Sequence, residues 1–262
     1  MIISKYTSKY DIEGLKFAGK LAASILEMIH SYIKPNISTG QLDQICKKFI
    51  ENDIQAISAT LGYNGYKHST CISINNVVCH GVPNFNHKLK LGDIINIDVT
   101  IIKNGYYADT SKMFILGENI IGKRISSVTQ ECLYKAIKIM RPGVKLSEIG
   151  SIIQQHAEYN GYSIVRNYCG HGIGKNFHEP PQVLHYNGYN LFNDIILTEG
   201  MCITIEPIVN SGDSATKILN DGWTVVTKDK SLSAQWEHTL LLISDGVIVT
   251  TARKEEDLSF IK

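Results

Sequence analysis

The stretch Leu91–Phe114 reads LGDIINIDVTIIKNGYYADTSKMF and predicts the β-hairpin that organises the fold. Two apolar runs rich in Ile, Val and Tyr flank Asn104-Gly105, the dipeptide that most strongly signals a two-residue hairpin turn. Counting back from this turn along both strands gives the cross-strand pairs Lys103–Tyr106, Thr100–Asp109 and Asp98–Ser111. Asp98 and Asp109 are then diagonal neighbours on one face of the hairpin.

The two aspartates on this face have two explanations. Diagonal neighbours lie roughly 7–8 Å apart, so two short carboxylates could bracket one or two cations about 3.5–4 Å apart. An ionised Asp98 between Ile97 and Val99 costs several kcal/mol unless it is paired or binds a metal. The alternative is a hairpin with one solvated face, and this stretch alone leaves both interpretations open.

Length and composition allow one large domain or two small ones, and we expect one cytoplasmic domain over residues 1–262. With 262 residues and 44% hydrophobic content, the chain can bury a large core without disulfides or a partner, and we expect a monomer. The 26 basic and 25 acidic residues nearly cancel, which argues against direct binding to nucleic acid or an anionic membrane. The N-terminus lacks the apolar core of a signal peptide, and no apolar run is long enough to span a membrane. Six cysteines without a C-x-x-C pair are typical of reduced thiols.

Apolar periodicity and capping residues predict two helices before the hairpin and two after it. The first helix is capped by Asp11, and the second begins at Ser38 in a capping box with Gln41. The later helices cover about 122–140 and 147–160. Extended segments are predicted over residues 56–61, 70–74, 77–79, 201–206, 223–227, 235–243 and 247–251.

Three motifs occur twice, at matching positions of the predicted element order. They pair as His80-x-x-Pro with His178-x-x-Pro, Gly92-x5-Asp98 with Gly200-x5-Glu206, and Ala-Asp109-Thr with Glu237-His-Thr. We interpret them as an old duplication with halves at about 10–118 and 119–251, although chance similarity at so few positions is an alternative. The predicted class is α+β, with two helix-helix-strand halves related by a pseudo-twofold axis around a central antiparallel sheet.

The duplication predicts that four acidic residues converge on one site. Equivalent strands of a pseudo-twofold fold meet near its axis, which would bring together Asp98, Asp109, Glu206 and Glu237. Four carboxylates cannot sit together without compensation, because each charge raises the cost of ionising the next. Two divalent cations would balance them, and His171, set between glycines whose backbone freedom would help to aim the ring, is the candidate nitrogen ligand. Oxygen-rich ligation with one histidine suits Mn, Fe, Co or Zn.

Two further histidines, His80 and His178, occupy matched points of the repeat, just ahead of the proposed ligand strands. They are candidates for holding a substrate or for stabilising the charge that develops on a carbonyl oxygen. The other six histidines are expected to be surface or packing residues: His30, His68, His87, His156, His185 and His238.

Seven motifs together resemble those of the type I methionine aminopeptidases over nearly the whole chain, in a minimal bacterial or organellar form. They are VCHGVP around His80, INIDVT around Asp98, GYYADTS around Asp109, YCGHGIG around His171, FHEPP around His178, TIEP around Glu206 and SLSAQWEHT around Glu237. The resemblance implies the pita-bread fold, which this family shares with aminopeptidase P, prolidase and creatinase. It also implies a hydrolase that removes the initiator methionine from nascent proteins, with a preference for a small second residue.

The resemblance also implies roles for individual residues. A dinuclear metal centre would be held by Asp98, Asp109, His171, Glu206 and Glu237. A metal-bridging water or hydroxide would attack the scissile carbonyl, with Glu206 relaying the proton and His178 steadying the oxyanion, while His80 also contacts the scissile peptide. Substrate contacts would further include Thr100 and an apolar slot for a thioether, formed by Tyr63, Tyr66, Cys71, Phe177 and Trp223. A Na or K ion would be held by Asn75, Val77 and Ser233.

The expected partners are the N-termini of nascent polypeptides at the ribosome. Two alternatives remain. One is another pita-bread peptidase that cuts before proline, and the other is a catalytically dead pita-bread module used for binding. The second conflicts with the presence of all five ligand residues.

Overall fold

Two blocks, each of two helices followed by strands, occur along the chain, which the computed structural model describes over residues 3–189 and 194–260. The first block consists of two helices and five strands: α1 (Lys9–Ile29), α2 (Thr39–Lys48), β1 (Ile57–Ser58), β2 (Cys71–Ile74), β3 (Val77–Cys79), β4 (Ile94–Lys103) and β5 (Tyr106–Ile115). The second block consists of two helices and ten strands: α3 (Ile120–Ile139), α4 (Leu146–Tyr159), β6 (Ser163–Ile164), β7 (Gly170–Gly172), β8 (Glu179–Val183), β9 (Cys202–Ile205), β10 (Ile208–Asn210), β11 (Thr216–Ile218), β12 (Val225–Thr227), β13 (Ser233–Gln235), β14 (His238–Leu242) and β15 (Val247–Val249). The limits 1 and 262 expected for the domain lie outside the described residues.

Capping side chains set the starts of the first two helices, and one of them differs from the prediction. Ser8, not Asp11, caps α1, because the Ser8 hydroxyl accepts a hydrogen bond from the Asp11 N–H at 3.0 Å. Asp11 instead lies in the first turn, where a negative charge is favourable, and its Oδ1 accepts from the Tyr106 hydroxyl at 2.7 Å. The predicted capping box of α2 is confirmed, with Ser38 Oγ accepting from the Gln41 N–H at 3.2 Å.

Strands β4 and β5 form the predicted hairpin, with Asn104-Gly105 as its turn. Asn104 (φ 52°) and Gly105 (φ 81°) both occupy the left-handed region, as a type I′ turn requires. The register confirms all three predicted cross-strand pairs: Lys103–Tyr106, Thr100–Asp109 and Asp98–Ser111. The diagonal relation of Asp98 and Asp109 follows from this register.

The predicted central antiparallel sheet corresponds to two antiparallel sheets, one from each half, that meet side by side. In the first half β4 pairs with β1, β2 and β5, and in the second half the strand order is β15-β14-β9-β7-β8. The two sheets meet where Asp109–Ser111 of β5 lie alongside Glu237–Thr239, and we call this contact the seam. There the Glu237 N–H donates to the Ser111 carbonyl at 3.1 Å, and the Asp109 N–H donates to Thr239 Oγ1 at 3.0 Å.

The single strand predicted over 235–243 is wrong, because Trp236 and Glu237 divide it into β13 and β14. Strand β13 pairs with β10, whereas β14 pairs with β9. The backbone changes partners between them, and the Glu237 N–H bonds across the seam instead of within its own sheet. This break therefore brings a residue of the second half against β5.

Helices cover the sheets and enclose two hydrophobic clusters. Helix α1 packs on β4 and β5, and the fully buried residues of this cluster include Leu15, Ile25, Leu26, Leu42, Ile97 and Ile101. Helix α3 packs on α4 and β13, and the fully buried residues of the second cluster include Ile125, Leu133, Leu146, Ile149, Ile203 and Leu240. Within the described part of the chain, no helix has the length and apolar character needed to cross a membrane.

Replacing Gly105 should destabilise the fold. A Cβ at Gly105 would meet no atom within 4 Å, so Gly105→Ala tests only the cost of the left-handed backbone at φ 81°. We expect the free energy of unfolding, measured by urea denaturation, to fall by about 1–2 kcal/mol. Asn104→Gly is the matched control and should not lower it, because glycine adopts the same conformation freely. An unchanged urea midpoint for Gly105→Ala would contradict the turn.

Candidate metal centre

Side chains from both halves of the chain face one cavity of about 800 Å³. Five of them are the residues predicted to bind metal: Asp98 on β4, Asp109 on β5, His171 on β7, Glu206 directly after β9 and Glu237 directly before β14. His171 Nε2 lies 3.7 Å from Asp109 Oδ2 and 3.8 Å from Glu206 Oε1. One potential ligand atom from each of Asp109, His171 and Glu237 lies within 4.8 Å of the others. The fold thus brings all five residues to one site.

The backbone around His171 orients its imidazole. Nδ1 lies 2.9 Å from the Gly172 carbonyl, so in the neutral ring the proton sits on Nδ1 and Nε2 is available as a ligand. The flanking glycines serve close packing, not the conformational freedom expected from the sequence. A Cβ at Gly170 would lie 2.3 Å from the Thr204 carbonyl oxygen, and one at Gly172 would lie 2.3 Å from the Pro180 carbonyl oxygen.

Hydrogen bonds fix two of the carboxylates. The Thr100 hydroxyl donates to Asp109 Oδ1 at 2.8 Å. The Thr204 hydroxyl donates to Glu206 Oε1 at 2.8 Å, and Gln235 Nε2 donates to Glu206 Oε2 at 3.3 Å. The sequence analysis missed Thr204 and Gln235. Thr204 precedes Glu206 by two positions, so the two-residue period of a strand is the signal that could have found it. Gln235 contacts Glu206 from a distant strand, and no local signal indicates it.

Burial and mutual repulsion make the carboxylates of this cluster hard to ionise. Burial, followed by the charges of Asp109 and Glu206, raises the pKa of both Asp98 and Glu237. Burial is also the main cause that raises the pKa of Glu206 to about 7. Asp98 Oδ1 is buried and has no hydrogen-bond partner among the described residues. A cation would give this oxygen a partner and offset the repulsion.

The donor set fits divalent metal ions. Four carboxylates and one imidazole form an oxygen-rich site with a single nitrogen, which suits the divalent first-row metals better than a thiolate site would. Burial opposes a charge on His171, but the nearby carboxylates of Asp109 and Glu206 outweigh that effect and raise its pKa. A proton on His171 is therefore stabilised by the carboxylates of Asp109 and Glu206. A metal ion bound between these three side chains would displace that proton.

The two histidines predicted to contact the substrate line the same cavity. The rings of His178 and His171 have centroids 4.2 Å apart, and His178 Nδ1 lies 2.9 Å from the Tyr63 hydroxyl. Burial and the neighbouring His171 lower the pKa of His178 to about 4. Burial also lowers the pKa of His80, whose ring meets Tyr168 edge to face at 5.5 Å. Both imidazoles are therefore neutral at pH 7, and each can donate one N–H.

Aromatic residues form another part of the cavity wall. Tyr66 and Trp223 meet edge to face with ring centroids 5.0 Å apart, and Tyr63 and Phe177 lie 4.8 Å apart. Of the other residues predicted to contact substrate, Cys71 and Thr100 also line the cavity. Tyr168 lines it as well, although the sequence analysis quoted its motif without selecting it. The predicted pocket residues thus share one cavity with the acidic cluster.

The residues predicted to hold a monovalent cation lie away from the cavity wall. Asn75 lies in the turn between β2 and β3, Val77 begins β3, and Ser233 begins β13. The Ser233 N–H donates to the Asn75 carbonyl at 2.8 Å, so these two residues are neighbours. The Ser233 hydroxyl oxygen is buried without a hydrogen-bond partner in the described part of the chain. The cation itself stays a prediction.

Two histidines expected at the surface or in packing are fully buried with polar partners. His185 Nε2 accepts from the Glu206 N–H at 3.1 Å, and burial lowers the pKa of His185 to about 3. His238 Nδ1 lies 2.9 Å from Thr251 Oγ1. His185 therefore supports the backbone at a proposed ligand, a role that its position in the sequence did not indicate.

Comparisons with known proteins agree with this geometry. Residues 13–244 match metallopeptidase family M24. The chain is 54% identical over 262 residues to the methionine aminopeptidase of Salmonella typhimurium, covering 100% of this chain and 98% of that protein. It is 53% identical over 252 residues to the methionine aminopeptidase of Escherichia coli K12, covering 96% of this chain and 95% of that protein.

A solved structure extends the agreement to the fold. The crystal structure of methionine aminopeptidase from Rickettsia prowazekii matches with a TM-score of 0.91 and 46% sequence identity, covering 96% of this chain and 100% of that chain. The expected pita-bread fold is thereby confirmed. Since both the family match and the identities span most of the sequence, the chain belongs to metallopeptidase family M24.

Proposed function

We propose that the protein is a methionine aminopeptidase, a metal-dependent exopeptidase that removes the N-terminal methionine when the second residue is small. The observation that carries the proposal is the single cavity in which five residues suited to metal binding lie beside an aromatic wall. The names of the relatives, at 54% and 53% identity over nearly the full length, support the same activity.

Two divalent cations, drawn from Co, Mn, Fe or Zn, would be held by Asp98, Asp109, His171, Glu206 and Glu237. When bound, such cations polarise a carbonyl and lower the pKa of water so that a nucleophile exists at neutral pH. Support comes from the buried, partnerless Asp98 Oδ1 and from the raised pKa values of Asp98 and Glu237. Both features would be relieved by positive charge at this point.

The protein's own side chains would position the substrate and move the proton. Glu206 would accept the proton of the attacking water and pass it to the leaving amine, with its carboxylate held by Thr204 at 2.8 Å. His178 and His80 would each donate an N–H to the scissile peptide, and His178 would steady the developing oxyanion. With the His178 proton on Nε2, the Tyr63 hydroxyl can donate to Nδ1 over 2.9 Å, which fixes that tautomer.

The methionine side chain would occupy the aromatic part of the cavity, against Tyr63, Tyr66, Cys71, Phe177 and Trp223, with Thr100 beside the metal centre. Contacts between a thioether sulfur and aromatic rings are worth about 0.3–1.5 kcal/mol each. The Tyr66 hydroxyl donates to the Thr70 carbonyl at 3.0 Å, so its ring is held in one position. A wall fixed in this way would favour one side-chain shape over others.

The substrates would be N-termini of nascent chains at the ribosome, met in the cytoplasm by a monomeric enzyme that binds no nucleic acid directly. The near balance of 26 basic and 25 acidic residues supports the absence of a nucleic-acid footprint. A Na or K ion at Asn75, Val77 and Ser233 would add a structural site, supported by the partnerless Ser233 hydroxyl.

A panel of short peptides tests the activity. Met-Ala-Ser should lose its methionine, and a bulky second residue, as in Met-Leu-Ser, should lower kcat/KM by at least about tenfold, because it crowds the site next to the scissile bond. Metal analysis of the protein as purified should accompany the assay. Turnover of Xaa-Pro substrates without Met-Ala-Ser turnover would indicate the peptidase that cuts before proline. Metal binding without any turnover would indicate a binding module.

Asp109→Asn should abolish Met-Ala-Ser cleavage, because the amide removes a negative charge from the centre of the cluster and weakens metal retention. We expect kcat/KM to fall more than about 100-fold, together with bound metal measured by elemental analysis. Asp245→Asn, which changes an exposed aspartate, is the matched control and should behave like the unmodified protein. Normal metal content and turnover in Asp109→Asn would count against this site.

His178→Ala should keep the metals and lose kcat. Removing one donor to an oxyanion typically costs about 10²–10³ in kcat, and the five proposed ligands are left in place. His87→Ala, which removes an exposed histidine, serves as the control. Steady-state kinetics and metal content should be measured on the same preparations. An unchanged kcat in His178→Ala would remove this residue from the mechanism.

A further inference from the structure

A buried arginine lies behind the strands that carry two of the proposed ligands. After β15 the chain returns to the seam, where the Arg253 side chain is fully buried. Its Nη2 donates to Glu256 Oε1 at 2.9 Å, and the guanidinium lies over the Trp236 ring, 5.4 Å from the centroid. Burying such a pair costs desolvation energy that its attraction often only offsets, so stability alone is a weak explanation for it.

Arg253 contacts residues on both sides of the seam. On β5, Nη1 donates to Thr110 Oγ1 at 2.8 Å. On β14, Nη2 lies 3.1 Å from His238 Nε2 and can donate to it. Thr110 directly follows Asp109, and His238 directly follows Glu237. Each contact is therefore one residue away from a proposed metal ligand.

Asp109 lies on β5, and Glu237 directly precedes β14 of another sheet, so their separation depends on the seam. No regular strand pairing joins β5 to β14 in the described residues. The direct bonds between them are local ones. The Thr110 hydroxyl donates to the Glu237 carbonyl at 2.8 Å, and the Glu237 N–H donates to the Ser111 carbonyl at 3.1 Å. Thr239 Oγ1 accepts from the Asp109 N–H at 3.0 Å and donates to the Asp109 carbonyl at 2.7 Å. A side chain that bonds to both β5 and β14 would add to the small number of contacts that hold Asp109 and Glu237 in place.

We propose that Arg253 is a positioning residue for the metal centre, whose guanidinium joins β5 to β14 and so sets the distance between Asp109 and Glu237. The inference rests on the proposed function, because it treats these two acids as metal ligands. A guanidinium presents donors in a rigid planar fork and can bond two strands at once, whereas the ammonium of a lysine is a single point on a flexible stem. The C-terminal segment thus contributes to the site without facing the cavity.

The test measures metal affinity directly. Protein stripped of metal is titrated with Co²⁺ by calorimetry for the unmodified chain, R253M and R253K, after circular dichroism has shown that each is folded. Residues that support metal ligands without touching the metal typically change affinity or activity about 10–100-fold when mutated. We expect both variants to bind Co²⁺ at least about tenfold more weakly, with R253M the weaker. This affinity separates a positioning role from a loss of global stability, which would lower the unfolding temperature only.

Lys112→Met is the matched control. Lys112 lies on β5 two residues after Thr110, pairs with Glu255 of the same C-terminal segment and lies over the Phe114 ring at 5.1 Å. Neither partner is on β14, so this variant loosens the same segment without breaking a link across the seam. It should keep the Co²⁺ affinity of the unmodified chain.

Defined results would overturn the proposal. A folded R253M with unchanged Co²⁺ affinity would overturn it, and so would an R253K that binds like the unmodified chain, because spanning both strands would then not matter. Where R253M does not fold, R253K decides. Equal weakening in Lys112→Met would point to the segment as a whole and also contradict a role specific to Arg253. Failure of the proposed function is distinguishable, since the unmodified chain would then bind Co²⁺ without cleaving Met-Ala-Ser, or would bind none.

Discussion

Repulsion among four carboxylates that share one cavity is the constraint on which the site depends. An ionised carboxylate is more stable in water than in this cavity. Burial together with the neighbouring charges therefore raises the pKa of Asp98, Glu206 and Glu237. The surrounding fold must therefore supply enough packing energy to hold them together. Metal ions that bind the folded chain and not the unfolded one would return part of that cost as added stability.

The chain meets this constraint by dividing the acids between two sheets. Asp98 and Asp109 come from one hairpin, whose register fixes their relation, while Glu206 and Glu237 come from the second half. The contacts at the seam determine how the acids of the first half lie relative to those of the second half. Its short contacts, such as the Glu237 N–H to the Ser111 carbonyl at 3.1 Å, show that this relation depends on a few bonds and not on a continuous strand ladder.

The sequence predicted best what local chemistry decides. The Asn104-Gly105 turn predicted the exact cross-strand pairs of the hairpin. Both turn positions need a left-handed backbone, and a two-residue loop allows only one register of the two strands. The motifs identified the ligand candidates. The sequence did not reveal the break at Trp236–Glu237 or the roles of Thr204, Gln235 and His185. The break, and the contacts of Gln235 and His185 with Glu206, join elements far apart in the chain, and no periodic pattern records such contacts. Thr204 differs, because it contacts Glu206 two residues further along, and the two-residue period of a strand could have indicated it.

The strand register of the first sheet also connects the aromatic part of the cavity to the acidic cluster. Cys71, which lines the aromatic part of the cavity, is the direct cross-strand partner of Asp98, a member of the acidic cluster. The segment before Cys71 is anchored from α2, where Asp43 Oδ1 accepts from the Ser69 N–H at 2.9 Å and the Thr70 N–H at 3.0 Å. Because adjacent strands move together, a shift of the pocket wall would shift the acids as well. The hydrogen bonds of this sheet thus link one wall residue of the proposed methionine pocket to one proposed ligand of the metal centre.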